Sequence, residues 1–215
     1  MTNEAKILFW LGAGTVILLT GAVFFLNSNP PKTSQNSQSQ NSQIKSNLLV
    51  KDNSNKITTD SAKTTIVEFG DYQCPACKMA HPIINKVLKD YPDRVNFVFR
   101  HFPLPQHQNA FQAAEAAEAA GEQGKYFEMH NKLYENQDEW DENNNPLEIF
   151  LKYAQELNLS VDQFEDSVTS NKYQQKISSD KNDGNALGLN STPTFFINGT
   201  KLNGFSYEEF KKRIE

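Results

Sequence analysis

Two cysteines in 215 residues stand three positions apart, in Glu68-Phe69-Gly70-Asp71-Tyr72-Gln73-Cys74-Pro75-Ala76-Cys77. Thiols at that spacing can carry out two-electron exchange. One sulfur attacks, or is attacked, to give a mixed disulfide, and the other resolves it by closing the ring. Three plainer uses stand beside this one. A structural disulfide here would close a four-residue ring, which constrains little of the unfolded chain. A zinc site usually needs four N or S ligands, and there is no second cysteine pair. Two ordinary buried thiols would ask for no partner.

The flanking residues favour exchange chemistry. Before the pair, Thr64-Thr65-Ile66-Val67-Glu68-Phe69 is β-branched and aromatic and reads as a buried strand. After it, Met79, Ile83, Val87 and Leu88 recur at helical spacing. The cysteines therefore lie where a strand turns into a helix. Pro75 suits the first helical position, where no N–H is needed. Cys74 then caps the helix, with free N–H groups and the positive dipole end directed at its sulfur. Both favour the thiolate. Lowering a thiol pKa from about 8.5 to about 5 would correspond to roughly 5 kcal/mol of differential stabilisation. Cys77, one turn on, is the natural resolving thiol.

Other side chains near the pair have two uses each. Glu68 is a carboxylate in an apolar strand, either buried with a raised pKa or on a solvent face. Asp71 reads as a turn residue shaping the loop. His81 shares a helical face with Cys77 and either packs there or tunes the thiols. Pro82 is expected to interrupt and kink the helix, which runs to about Asp90 and stops at Tyr91-Pro92-Asp93.

The stretch from Phe69 to Cys77 resembles the active-site segment of the DsbA-like branch of the thioredoxin superfamily. The resemblance continues in Phe97-Val98-Phe99-Arg100-His101-Phe102-Pro103-Leu104 and the Ala-rich helix after it. It ends with Ser191-Thr192-Pro193-Thr194-Phe195-Phe196-Ile197-Asn198-Gly199, and takes in residues 47–215 with the motifs in the family's order. It implies an α/β, thioredoxin-like fold with an inserted helical domain at about 107–187. It implies that Cys74 and Cys77 are catalytic and that Glu68 is a buried acid relaying a proton to the resolving cysteine. A cis proline at Pro193 would face the cysteines, and Thr192 and Pro193 would bind substrate by presenting backbone to an extended chain. No bound cofactor and no metal are implied, and His101, His107 and His130 show no ligand pattern. The implied partners are cysteine-containing secreted or membrane proteins and a membrane protein that reoxidises the dithiol. Strongly oxidising relatives carry histidine where this chain has Ala76, so a reductase or isomerase stands as an alternative to an oxidase. A surface-anchored, chaperone-like peptide-binding module is the alternative outside redox chemistry.

The rest of the chain supplies context. Ile7–Leu26 is uncharged and largely apolar; twenty residues at about 1.5 Å each span roughly 30 Å, the thickness of bilayer hydrocarbon. Residues 1–26 are expected to form a transmembrane anchor, with a cleaved signal peptide as the alternative. Residues 27–46, rich in Ser, Asn and Gln, cannot bury enough apolar surface to fold and read as a tether reaching about 25 Å root-mean-square. The domain at 47–215 would then sit outside the cytoplasm. A net charge of −5 argues against a nucleic-acid partner.

Within that domain, Leu48-Leu49-Val50 is expected to be an edge strand and Asp52–Asn55 a turn. Val95–Phe99 is a strand, with Arg100 and His101 beyond its end. Helices are expected at Asn109–Ala120, ended by Gly121; from Tyr126 to Tyr134; after Pro146; after Ser160, with a capping box to Gln163; and at Tyr173–Leu187. Phe195–Ile197 pairs through an Asn198-Gly199 type I′ turn with a return strand at Lys201–Phe205. Tyr207–Ile214 is the closing helix.

Overall fold

The computed structural model describes residues 46–215. The expected anchor and all but the last residue of the linker lie outside the described residues. Among the described residues, no helix is long and apolar enough to cross a membrane.

The elements in chain order are β1 (Asn55–Ile57), β2 (Thr64–Gly70), α1 (Pro75–Asp90) and β3 (Val95–His101). Six helices follow: α2 (Ala110–Glu122), α3 (Tyr126–Glu135), α4 (Gln137–Trp140), α5 (Leu147–Glu156), α6 (Val161–Thr169) and α7 (Gln174–Ala186). The chain closes with β4 (Thr194–Ile197), β5 (Thr200–Lys201) and α8 (Tyr207–Ile214). The strands form one sheet in the order β1-β3-β2-β4-β5. Central β2 runs parallel to β3 and antiparallel to β4, so the helical block enters the chain between two strands that flank the same neighbour.

Both faces of the sheet are covered, which is why β2 reads as a continuous apolar run rather than an alternation. Ile66, Phe97, Phe99, Phe195 and Ile197 join a core with Met129, Leu133, Trp140, Phe150 and Phe210. Val67, Phe69, Val98 and Phe196 point the other way, into a smaller core with Leu49, Phe102 and Leu189. The alanines of α2 bury nearly all its faces, and their small size lets neighbouring helices approach closely. Asn198 and Gly199 both have positive φ, 47° and 82°, as a type I′ hairpin requires.

Several expectations are corrected. Residues 46–49 are helical; Leu49 enters the smaller core, and the carbonyls of Leu48 and Leu49 accept from the Arg100 guanidinium rather than from a strand. The edge strand is β1. Arg100 and His101 lie inside β3, both buried. Helix α2 runs through Gly121, whose bare Cα admits the Tyr126 ring, since a Cβ there would come 3.2 Å from Tyr126 Cδ2. The left-handed reversal falls instead at Gly124, with φ 76°. Ser160 caps α6 without a capping box: its N–H donates to Gln123 Oε1, and its carbonyl accepts from Gln123 Nε2. Helix α1 passes Pro82 unbroken, held by its buried face of Cys77, Ala80, His81, Ile84 and Val87. The return strand is short, Thr200–Lys201.

Candidate active site

The site begins where β2 ends. At Gly70 a Cβ would lie 2.5 Å from Phe99 Cε2, so only glycine lets the chain cross that ring. Asp71 then pins the loop. Its Oδ1 accepts the Gln73 N–H at 2.8 Å, and its Oδ2 accepts the Leu104 N–H at 2.8 Å and His107 Nδ1–H at 2.7 Å. The expected turn role of Asp71 thus extends to anchoring the loop after β3. Cys74 follows as the N-cap of α1 in extended backbone conformation, with Pro75 inside the first turn.

Both cysteines are free thiols in unequal surroundings. Cys74 is 7% exposed and Cys77 fully buried. Hydrogen bonding from the Cys77 thiol, helped by the N–H groups of Cys77 and Ala76, holds the Cys74 pKa down at about 5, against the opposing effect of its burial. Burial acts the other way on Cys77. Together with the proton it lends to Cys74 and the negative charge of Glu68, burial pushes that thiol well above the ordinary range.

Thr192 and Pro193 lie against the Cys74 sulfur. Their peptide bond is cis, and the Cys74 thiol donates to the Thr192 carbonyl at 3.4 Å. The Thr192 hydroxyl is buried without a hydrogen-bond partner. A thiol can donate to the carbonyl, whereas a thiolate can only accept, so the hydroxyl suits the deprotonated state.

Glu68 is buried, at 2% exposure, which decides between its two expected placements. Burial first, then the Cys74 charge, pushes its pKa up to about 8, and its Oε1 has no hydrogen-bond partner. Glu68 therefore keeps a proton near neutral pH. The Tyr134 hydroxyl is likewise buried and unpartnered; burial raises its pKa, and the charges of Cys77 and Glu68 act next. His81 is buried, bonds to Asn85 at 3.0 Å, and packs on Tyr134 with ring centroids 5.1 Å apart. Burial pushes its pKa down to about 4, so it packs as a neutral ring.

The structure thus brings Cys74, Cys77, Thr192 and Pro193 together, with Glu68 beneath. Tyr134 and Gln137 escaped the sequence. Tyr134 reads as one more apolar position of its helix, and Gln137 lies in the polar run Glu135-Asn136-Gln137-Asp138 with nothing to distinguish it. Among the described residues, no cluster of His, Cys, Asp and Glu is placed to hold a metal ion.

A family profile described as Thioredoxin matches residues 52–215. Among curated proteins, Na(+)/H(+) antiporter NhaA 3 of Salinispora tropica is 40% identical over 144 residues, which make up 66% of this chain and 21% of the antiporter. The chain thus spans about a fifth of the length of the curated relatives it matches. Among solved structures, alpha-DsbA1 of Wolbachia pipientis matches with a TM-score of 0.71 and 26% identity, over 80% of this chain and 94% of that one. A thioredoxin-like oxidoreductase from Silicibacter pomeroyi DSS-3 matches with a TM-score of 0.67 and 25% identity, over 78% and 94%. On the strength of the profile and these folds, the chain belongs to the DsbA-like thiol-disulfide oxidoreductases of the thioredoxin superfamily.

Proposed function

We propose that this chain is a membrane-tethered dithiol oxidase that works outside the cytoplasm, introducing disulfide bonds into secreted or membrane proteins through Cys74 and Cys77. The observation that carries the reading is the asymmetry of the two sulfurs. Cys74 keeps 7% of its surface exposed at the start of α1 beside Thr192, and Cys77, with none, is sealed behind it.

In the disulfide form, a substrate thiolate attacks the Cys74 sulfur. The Cys74–Cys77 bond breaks, and Cys77 leaves with the electron pair. A thiol pushed so high takes a proton at once, and the protonated Glu68 carboxyl supplies it. The second substrate thiolate then attacks the substrate sulfur of the mixed disulfide. Cys74 leaves as a thiolate, which its low pKa makes easy. The substrate has lost two electrons, the pair has gained them, and the substrate thiols have released their two protons, one of which restores Glu68. During exchange, the extended substrate pairs with the backbone at Thr192 and Pro193. A membrane partner accepts the two electrons and restores the disulfide. The anchor and tether of residues 1–46 keep the domain within reach of that partner, at about 25 Å root-mean-square.

Ala76 favours a second reading. An apolar residue between the cysteines offers the thiolate no charge, and a weaker thiolate suits a reductase or isomerase. Incubating a reduced, unfolded protein with catalytic amounts of the chain and excess oxidised glutathione tests the main reading. Disulfide formation should accelerate, and Cys74→Ser should abolish the acceleration. A Cys74→Ser chain that still performs its cellular task would point instead to the peptide-binding module.

A further inference from the structure

The loop that carries Cys74 is gripped from the helical block. Gln137 opens α4 and is 1% exposed. Its side-chain amide donates to the Tyr72 carbonyl at 2.6 Å and to the Cys74 carbonyl at 3.2 Å. A primary amide has two donor hydrogens, and both are used on the two peptide groups that bracket Gln73 and Cys74. The Cys74 carbonyl also accepts the Lys78 N–H at 3.1 Å, the bond that starts the ladder of α1. Orienting these carbonyls orients the peptide planes, and with them the Cα–Cβ bond that aims the sulfur.

Gln137 is itself fixed. Trp140, fully buried, donates Nε1–H to the Leu133 carbonyl at 3.0 Å. Gln73 donates to the Asp141 carbonyl at 2.6 Å and accepts the Asn109 N–H at 2.7 Å. The Asn109 amide reaches the carbonyls of Trp140, Asp141 and Asn143 at 3.1, 3.1 and 2.8 Å. Lys78 of α1 pairs with Asp138 at 2.5 Å. The segment 137–143 and the loop 72–74 are therefore tied at several points, and Gln137 is the tie on the peptide of the reactive cysteine.

We propose that Gln137 is a positioning residue for the thiol-disulfide chemistry: its grip on the Tyr72 and Cys74 carbonyls holds the Cys74 sulfur over the first N–H groups of α1 and against Thr192. It touches no substrate and acts through Cys74. A sulfur free to swing loses the N–H groups that favour its thiolate, and leaves a mixed disulfide less readily. This rests on Cys74 being the exchanging sulfur.

The test is the pH dependence of iodoacetamide alkylation at Cys74 in the reduced full chain, assigned by mass spectrometry, with glutathione equilibration alongside. Gln137→Met keeps the volume and removes both donors. It is expected to raise the Cys74 midpoint by about one unit, a tenfold change, and to shift the glutathione equilibrium about tenfold toward the disulfide, equivalent to about 30 mV. Gln137→Asn, with donors on a shorter arm, should shift both by less. Trp140→Phe loosens the same segment but keeps the Gln137 amide; it should lower the thermal midpoint and move the Cys74 titration by much less than Gln137→Met does. A Gln137→Met chain that titrates like the parent overturns the proposal, as does an equal shift in Trp140→Phe. Should Gln137→Met fail to fold, a folded Gln137→Asn chain with parental titration overturns it as well. If the parent's Cys74 itself titrates as an ordinary thiol, the functional reading fails, which is a different result.

Discussion

Two polar groups are buried equally deeply on the two faces of the sheet and finished to different degrees. Arg100 leaves β3 on the face of the smaller core, packed on the Phe69 ring at 5.4 Å. Its Nε bonds Asp180 at 2.9 Å, its Nη2 bonds Asp183 at 2.5 Å, and its Nη1 reaches the carbonyls of Leu48 and Leu49 at 2.8 and 2.9 Å. Asp180 also accepts the His101 N–H at 3.1 Å, and Lys51 pairs with Asp183. On the other face, Glu68 has an oxygen with no partner, and the hydroxyls of Tyr134 and Thr192 have none either. A fourth such atom, Oε1 of Glu115, lies on the helical block, where the other carboxylate oxygen accepts the Tyr173 N–H at 3.0 Å. Complete pairing fixes architecture, because removing any partner strands a buried charge. Incomplete pairing leaves a carboxyl whose proton answers to the state of the sulfurs beside it.

Breaking the complete face should give the largest effect. Arg100→Met leaves Asp180 and Asp183 buried without their main partner, and is expected to lower unfolding stability by about 3–5 kcal/mol. The alkylation midpoint of Cys74 should not move. A midpoint that moves with stability would mean that the two faces are not separate in function.

Altering the incomplete face should have the opposite sign. Glu68 holds its proton to about pH 8 when folded, against an ordinary value of 4.5. Between those values the folded chain binds the extra proton, so this group lowers stability as pH rises through the window. Glu68→Gln removes that loss. After the cost of burying an uncompensated amide, it is expected to be more stable than the parent by on the order of 2 kcal/mol at pH 8, with the gain shrinking toward pH 4.5 and with slower disulfide exchange. Denaturant unfolding at both ends of the window checks this; an equal gain throughout would contradict it.

The smallest effect sharpens the comparison from outside both clusters. Ser206 caps α8 by accepting the Glu209 N–H at 3.2 Å. Ser206→Ala should lower stability by about 1 kcal/mol and leave exchange rates unchanged.

What the sequence disclosed divides along similar lines. The strand, the capping cysteine, the helix and the hairpin turn are written in neighbouring residues, and they stand where local chemistry puts them. The burial of Glu68 depends on what covers the strand, which no local pattern records. Leu48-Leu49 misled because two adjacent leucines serve a helix as well as a strand, and the choice was made by Arg100, some 50 residues on. Arg100 in turn depends on acids 80 and 83 residues away. Gln137 lies 63 residues from Cys74 and 65 from Tyr72, in a polar run where an amide that grips the loop at 72–74 looks like any surface residue.

The most direct measurement is the reduction potential of the Cys74–Cys77 pair in the intact chain, equilibrated against glutathione. A donor of disulfides should lie near the strongly oxidising end of the superfamily, at about −120 mV. A value near the thioredoxin end, at about −270 mV, would contradict the oxidase reading and make the chain a reductase that needs an electron supply.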